Sequence, residues 1–293
     1  MLLPLSKLMR HKQCNAKLWL VVKSLRLPLA EGLKVCGLVA LLAGCADQLE
    51  RPILPSQPDK FLTLDSWQLA WFENSGDKPS QTLHVYIDGD GRPLSANVLT
   101  ASEDPTPQNP LALKLAAMDP SAAIYLGRPC HFLVDQAACE PSLWTTARYS
   151  EVVVLALCQA LEQLVGEPAR PISLIGFSGG GALAVLVANC LDTAVNVVTI
   201  NGNLSIDTWT QLRGFERLEQ SQNPLDHGLP EYVSGRIYLV GLEDQLVSPA
   251  VSTEFAARFG GEVIAYRGYG HRCCWLDDWP TILGQLARQL DYW

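Results

Sequence analysis

Histidine is scarce in this chain: the 293 residues include five, at positions 11, 84, 131, 227 and 271. Because histidine is the most common general base and a frequent metal ligand, few positions can serve either role. Basic residues are also scarce after position 44. The first 44 residues hold seven of the 22 Lys and Arg and one of the 30 Asp and Glu, which leaves 15 basic against 29 acidic residues, a formal charge of −14. Such a surface repels phosphate backbones, so we expect no nucleic-acid partner.

The apolar run at 35–43 is short, with nine residues, too few to cross a bilayer. A basic stretch, this run and the small residues after it are typical of a secretory signal. The end of the run, Leu42-Ala43-Gly44-Cys45, resembles a bacterial lipobox, in which the cysteine carries the lipid. A plain signal peptide with an incidental cysteine is the alternative. The 34 residues before the run are long for a basic region, which leaves the translation start open.

These features predict a lipoprotein-type signal peptide at residues 1–44 and a polar linker at 45–59. Acyl chains on Cys45 would then tether the protein to a membrane. The residue after this cysteine is Ala46 rather than aspartate, which in such lipoproteins favours the outer membrane, with the protein facing the periplasm. The remaining segment, 60–293, is long enough for one α/β domain.

Six cysteines follow position 45, and export to an oxidising compartment favours disulfides. Cys130 and Cys139 flank a short loop segment, and we predict that they pair. Cys158 and Cys190 lie on apolar helical stretches, where two buried free thiols are expected. The adjacent cysteines at 273–274 cannot easily bridge each other, and the sequence indicates no other partner for them.

Apolar strand and helix patterns alternate after the linker. Strands are predicted at 61–64, 68–72, 83–87, 122–126, 171–175, 195–200, 237–240 and 263–266, and helices at 111–118, 150–164, 181–188 and 280–290. This alternation predicts a mostly parallel, doubly wound α/β sheet with helices on both faces. The segment 201–234 interrupts it as a small insert between two strands. Such an insert either roofs an active site or is a plain excursion.

The stretch Gly176-Phe177-Ser178-Gly179-Gly180 lies between a predicted strand and a predicted helix. A serine on such a sharp turn has a strained backbone, and its hydroxyl projects above the edge of the sheet. Only small neighbours fit there, and Gly176 and Gly180 supply the space. The motif alone is weak evidence for a nucleophile, so its weight depends on a base and an acid elsewhere in the chain.

Two downstream loops offer these partners, because a serine hydroxyl needs a base and the base needs an orienting acid. His271 follows the last predicted strand in a glycine-rich loop, on the sheet edge expected for Ser178. Asp244 follows the strand between them, with Glu243 as the fallback and a solvated turn as the non-functional alternative. The other histidines after the signal are expected to have no catalytic role: His84, His131 and His227.

The nucleophile motif, Asp244 and His271, in this order, resemble the α/β-hydrolase superfamily over roughly residues 60–293. The segments 86–91, 128–130 and 271–275 are similar to a group of proteobacterial α/β-hydrolase lipoproteins of undefined substrate. The resemblance implies the α/β-hydrolase fold.

It also implies an oxyanion hole built from two backbone N–H groups. One is that of Gly179 and the other that of Asp90 or Gly91. The family usually has His-Gly where this chain has Asp88-Gly89. Carboxylates beside a developing oxyanion are unfavourable, so Asp88 and Asp90 must be paired or point away. A calcium loop is the competing interpretation of 88–91, but Arg92 occupies the next ligand position.

A serine hydrolase that needs no metal and no cofactor is therefore the predicted function. The simplest form is a carboxylic ester hydrolase that acts on a small-molecule or lipid ester through an acyl-enzyme intermediate. A peptidase or amidase with the same triad and a non-catalytic envelope lipoprotein are the alternatives. The sequence indicates neither the acyl-chain length nor the oligomeric state.

Overall fold

The computed structural model describes residues 54–78, 80, 82–97, 100–166 and 170–293. The predicted signal peptide at 1–44, the lipidation candidate Cys45 and the linker as far as residue 53 lie outside the described residues. Regular secondary structure within the described ranges begins at Lys60. No helix in these ranges has the length and hydrophobicity needed to cross a bilayer.

The strands of the described ranges form one eight-stranded sheet. They are β1 (Lys60–Thr63), β2 (Gln68–Asn74), β3 (Leu83–Ile87), β4 (Ala123–Leu126), β5 (Ile172–Phe177), β6 (Ala194–Ile200), β7 (Gly235–Gly241) and β8 (Glu262–Tyr266). Their spatial order is β1-β2-β4-β3-β5-β6-β7-β8. The first two neighbouring pairs in this order are antiparallel and the other five are parallel. The central strands β3, β4 and β5 are buried along their whole length, as expected of parallel strands covered on both faces.

Helices cover both faces of this sheet. They are α1 (Leu111–Ala117), α2 (Glu151–Val165), α3 (Gly179–Ala188), α4 (Ile206–Arg213), α5 (Pro224–His227), α6 (Pro249–Phe259) and α7 (Trp275–Gln289), with a 3₁₀ turn at Pro141–Trp144. Residues of α1 and α7 pack into one core cluster, whereas α2, α3 and α6 contribute to the other. The two clusters confirm the predicted doubly wound α/β sheet.

The order of the strands places the candidate nucleophile at a switch in topology. The chain passes from β3 to β4 on one side and then to β5 on the other side of β3. Loops that follow β3 and β5 therefore meet at the carboxyl edge of the sheet, where doubly wound folds bind ligands. They approach closely, because a methyl group at Gly180 would lie 2.1 Å from the carbonyl oxygen of Ile87.

Helices α4 and α5, both within the insert, were not predicted, and two helices outside the insert also differ from the sequence prediction. Helix α6 was not predicted, although its start has ordinary signals: Pro249 is the first helical residue and the Ser248 side chain accepts a hydrogen bond from the N–H of Ala250. Helix α7 begins at Trp275 rather than Pro280, which lies inside the helix. Trp275 and Trp279 are fully buried one turn apart. Burial of these two rings favours the extra turn despite the N–H that the proline lacks.

The structure pairs all six cysteines of the described ranges. Cys130 bonds to Cys139, the predicted pairing. The expectation of free thiols at Cys158 and Cys190 is wrong in this structure, which joins them. Their Cα atoms are 6.4 Å apart, within bridging distance, because α2 packs beside α3. The adjacent cysteines at 273–274 also bond to each other, against expectation, across a cis peptide that brings their Cα atoms within 3.1 Å.

Candidate active site

Ser178 lies on the sharp turn between β5 and α3. Its φ of +55° falls in the left-handed region, which is strained for a residue with a side chain. Neighbouring backbone fills the space beside two glycines: a methyl group at Gly176 would lie 2.3 Å from the carbonyl oxygen of Gly180. The turn therefore has the geometry expected for a nucleophile elbow, and its small neighbours are sterically required.

His271 and Asp244 come together with Ser178 at the carboxyl edge of the sheet. The Nε2 atom of His271 lies 3.1 Å from the Oγ of Ser178, and its Nδ1 lies 2.7 Å from Oδ2 of Asp244. A carboxylate only accepts hydrogen bonds, so Nδ1 carries the proton and Nε2 is free to accept one from the serine. The three side chains thus form a continuous hydrogen-bonded chain.

The backbone of its own loop holds the Asp244 carboxylate in place. Its Oδ1 accepts hydrogen bonds from the N–H groups of Leu246, at 2.7 Å, and Val247, at 2.9 Å. The Asp244 side chain is fully buried and the imidazole of His271 is 14 % exposed. Glu243, the fallback acid, is exposed and accepts a hydrogen bond from the N–H of Gly268 instead. The structure therefore brings Asp244, and not Glu243, to the histidine.

The other histidines of the described ranges lie apart from the serine. His84 is buried near the amino end of β3, with its Nδ1 2.7 Å from Oδ2 of Asp119. His131 is buried, and this burial, reinforced by the charge of Arg128, lowers its pKa to about 3. His227 is exposed at the end of α5.

Gly179 and the loop after β3 surround the serine where an oxyanion hole is expected. Gly179 is the first residue of α3, so its N–H has no partner within the helix. A methyl group at Gly89 would lie 3.1 Å from Cβ of Ser178, which places the 88–91 loop beside the nucleophile. The N–H of Gly89 donates to Oδ1 of Asp88 and is thus already used. Asp90 stays the predicted second donor.

Two arginines and a tyrosine surround the Asp90 side chain. Its carboxylate accepts hydrogen bonds from Arg128 at 2.6 Å, from Arg148 at 3.0 Å and from the Tyr149 hydroxyl at 2.8 Å. Burial opposes ionisation of Asp90, but the charges of Arg148 and Arg128 and these hydrogen bonds outweigh it and hold the pKa well below its ordinary value. The cluster carries a net positive charge of one, so an oxyanion beside it is not repelled. Its oxygens are occupied by these donors.

Asp88 differs from Asp90 in its surroundings. It is buried, its Oδ1 accepts a hydrogen bond from the neighbouring Gly89 N–H at 2.9 Å, and the backbone of Ala112 also favours its charged form. Burial raises the pKa of Asp88 to about 6, although the Gly89 hydrogen bond and the charge of Arg272 oppose the rise. The loop at 88–91 thus holds two different carboxyl groups. Asp90 is ion-paired, whereas Asp88 is mostly protonated in solutions more acidic than its pKa of about 6.

A cavity of about 760 Å³ opens above the serine. The insert at 201–234 supplies part of its wall through Trp209, Phe215 and Leu218, so the insert is a roof rather than a plain excursion. The Trp209 Nε1–H donates to the carbonyl oxygen of Leu246 at 3.0 Å, and Arg213 donates to that of Gln245 at 2.6 Å. Both bonds fasten the roof to the loop that carries the acid.

The sequence does not predict the side chains that bind Asp90. Arg128 follows β4, whereas Arg148 and Tyr149 precede α2, and no spacing in the sequence connects these positions with Asp90. The Arg-Pro-Cys segment at 128–130 indicates only a resemblance to a group of α/β-hydrolase lipoproteins, and not a contact with Asp90. The one available signal was the pair of aspartates at 88 and 90, since a buried carboxylate that stays ionised requires cationic partners.

No family model matches this chain, and no curated protein matches it either. Solved structures do resemble it. Among them are Est1E from Butyrivibrio proteoclasticus with bound ferulic acid (10% identity, 79% of this chain and 99% of that chain, TM-score 0.57), alpha/beta hydrolase domain-containing protein 10 from mouse (13%, 78% and 97%, 0.51), and a meta-cleavage product hydrolase from Pseudomonas fluorescens IP01 (13%, 79% and 98%, 0.51). At such identities the likeness concerns the fold. Together with the strand order and the elbow at Ser178, it shows that this chain has the α/β-hydrolase fold.

Proposed function

We propose that this protein is a serine hydrolase, and specifically a carboxylic ester hydrolase. The observation that carries the proposal is the hydrogen-bonded chain from Ser178 through His271 to Asp244, with both links at 3.1 Å or less. A protein that used the fold only for binding would have no need of a nucleophile, a base and an orienting acid in this order.

The reaction would proceed in two halves. In the first, the Ser178 hydroxyl attacks the ester carbonyl while Nε2 of His271 takes its proton; collapse of the tetrahedral intermediate expels the alcohol, which receives that proton. In the second, Nε2 removes a proton from water, the resulting hydroxide attacks the acyl-enzyme, and the proton returns to Ser178 as the acid leaves. Asp244 holds the imidazole in the required tautomer and stabilises the imidazolium.

The developing negative charge would lie against the N–H groups of Gly179 and Asp90. Donors fixed before the reaction need no reorganisation as charge develops, and the loss of one typically costs about a hundredfold or more in rate. The ion pairs that hold the Asp90 side chain would also hold its backbone N–H in this position.

The proposal is tested with short p-nitrophenyl esters and the Ser178→Ala variant. We expect turnover to disappear in this variant while the melting temperature stays close to that of the wild type. Ser173→Ala is the matched control, because Ser173 is also buried and lies on β5, the strand that leads to Ser178, where its Oγ contacts Asn196. Hydrolysis by Ser178→Ala at the wild-type rate would contradict the assignment.

We also propose that the preferred ester has an apolar acyl group. Phe215 and Leu246 line the cavity and are 48 % and 39 % exposed. An acyl chain that covers such side chains gains about 25 cal/mol per Å² of apolar surface removed from water. Phe215→Ala should therefore lower kcat/KM for octanoate esters about tenfold and leave acetate esters unaffected. Leu212→Ala is the control, because Leu212 on α4 is also exposed, at 57 %, but does not line the cavity.

An amidase or peptidase would use the same three residues. Comparison of p-nitrophenyl esters with aminoacyl p-nitroanilides separates the two functions, and we expect turnover of the esters alone. Preferential cleavage of the anilides would transfer the assignment to amide substrates.

Attachment to the outer membrane through lipidated Cys45 is a further part of the proposal, based on the sequence 42–45. Cells that express the full chain with radiolabelled palmitate should incorporate label into the wild type and not into Cys45→Ser. We also expect the wild type to partition into the detergent phase, as a lipid-anchored protein does, and Cys45→Ser to stay in the aqueous phase. Equal labelling of both proteins would overturn it.

A further inference from the structure

Asn201 lies directly after β6, between the strands that lead to the other site loops. Its φ of +48° is in the left-handed region, which asparagine tolerates better than other residues with side chains. The residue is 2 % exposed, and its own N–H donates to the carbonyl oxygen of Leu239 on β7 at 2.8 Å. A buried polar side chain needs hydrogen-bond partners, and those of Asn201 show which loops it connects.

The Asn201 side chain binds both loops that carry the partners of the serine. Its Nδ2 donates to the carbonyl oxygens of Gly270, at 3.1 Å, and His271, at 3.0 Å. Its Oδ1 accepts a hydrogen bond from the N–H of Gly241 at 2.8 Å. Gly241 ends β7 three residues before Asp244, so one amide group joins the loop of the base to the loop of the acid.

The same strand end also reaches the nucleophile. The N–H of Ser178 donates to the carbonyl oxygen of Ile200 at 2.9 Å, and Ile200 immediately precedes Asn201. The loops of Ser178, Asp244 and His271 are thus all hydrogen-bonded to two consecutive residues of one strand end. The base loop has other hydrogen bonds: the Glu243 N–H donates to the carbonyl oxygen of Tyr269 at 2.9 Å, and its carboxylate accepts from the Gly268 N–H at 2.6 Å. The Trp275 Nε1–H donates to Gly270 at 3.3 Å. Asn201 differs from these residues because it binds the carbonyl oxygen of His271 itself.

We propose that Asn201 is a positioning residue, which sets the place of His271 relative to Ser178 and Asp244. This inference rests on the proposed hydrolase function. Asparagine suits the position because one side chain must donate twice and accept once. Aspartate retains the acceptor and loses both donors, whereas glycine retains the backbone freedom and loses all three hydrogen bonds. A displacement of the imidazole by about 1 Å costs about a hundredfold in rate.

Two variants and a matched control test the inference. Asn201→Gly and Asn201→Asp should each lower kcat about a hundredfold per folded molecule, with KM changed less than threefold. The control is Asn196→Asp, a buried asparagine at the opposite end of β6, whose Nδ2 donates to Ser173 Oγ and to the carbonyl oxygen of Tyr292. It should lose stability to a similar degree and keep its kcat.

A second readout does not depend on turnover. Proton NMR of the wild type should show a downfield resonance from the proton between His271 Nδ1 and Asp244, which shifts or disappears in both Asn201 variants and persists in Asn196→Asp. Wild-type kcat in Asn201→Gly together with an unchanged downfield resonance would overturn the inference. A wild type without esterase activity whose resonance still responds to Asn201 would overturn the hydrolase proposal and keep the positioning role.

Discussion

The buried carboxyl of Asp88 should make this protein less stable at neutral pH than an otherwise identical chain with an amide there. Burial raises the pKa of Asp88 from its ordinary value of 3.8 to about 6. Between these two values the folded chain binds more protons than the unfolded chain. Stability therefore falls as pH rises through this window, and the full cost is present above pH 6.

The size of this effect follows from the two pKa values. Each pKa unit corresponds to about 1.36 kcal/mol, so the charged carboxylate costs about 3 kcal/mol of folding free energy at pH 8. At pH 4.5, where most of the folded protein carries a protonated Asp88, the cost is about 1 kcal/mol. Asp88→Asn has no charge at either pH, and its Oδ1 can still accept the Gly89 N–H. The stability of the variant relative to the wild type should therefore be about 2 kcal/mol greater at pH 8 than at pH 4.5.

Urea unfolding of both proteins at the two pH values, with disulfides intact, measures this difference. Glu162→Gln, which removes an exposed carboxylate of α2, serves as the control and should show little change between the two conditions. The reasoning would be refuted by an Asp88→Asn variant whose stability relative to the wild type is the same at pH 8 and pH 4.5.

Three further substitutions have definite expected results. Asp90→Asn leaves two buried guanidinium groups without their carboxylate and should cost about 3–5 kcal/mol in urea unfolding; a loss below 1 kcal/mol would show that the ion pairs are dispensable. Gly179→Ala places a methyl group 2.0 Å from Oδ1 of Asp90. Ester turnover should therefore fall more than about a hundredfold in protein that keeps a native circular dichroism spectrum. Normal turnover would show that the site has room for this methyl group. Asp244→Asn should lower kcat about 10⁴-fold by favouring the wrong imidazole tautomer, and a loss under tenfold would remove Asp244 from its role.

The sequence was sufficient to predict the layout of the fold and three side chains, at 178, 244 and 271, that the structure brings within hydrogen-bond distance of one another. Both depend on local patterns: apolar runs of strand length, a glycine-bounded serine and polar residues in the loops that follow strands. Because parallel strands end at one edge of a sheet, positions 178, 244 and 271 could be expected to meet there. Helix α6 could have been predicted too, from Ser248 and Pro249 at its start.

The remaining features of the site depend on tertiary packing. Nothing in the local sequence connects Asp90 with Arg128 and Arg148, which approach it from two other segments. The sequence identifies Asn201 only as the first residue of an insert, because its contacts depend on which carbonyl groups the neighbouring loops present to it. The local sequence does not predict the position of Phe215 at the cavity either. That position depends on the hydrogen bonds of Trp209 and Arg213 to the loop that carries Asp244.

Covalent labelling with a fluorophosphonate is the most direct test of Ser178 as a catalytic nucleophile. The folded protein is incubated with the probe, and peptide mass spectrometry locates the adduct while ester hydrolysis is followed in parallel. We predict one adduct per chain, on Ser178, that forms as activity is lost and is absent from Ser178→Ala. An unlabelled Ser178 in folded protein, or hydrolysis that continues after Ser178 is fully labelled, would contradict the proposed mechanism.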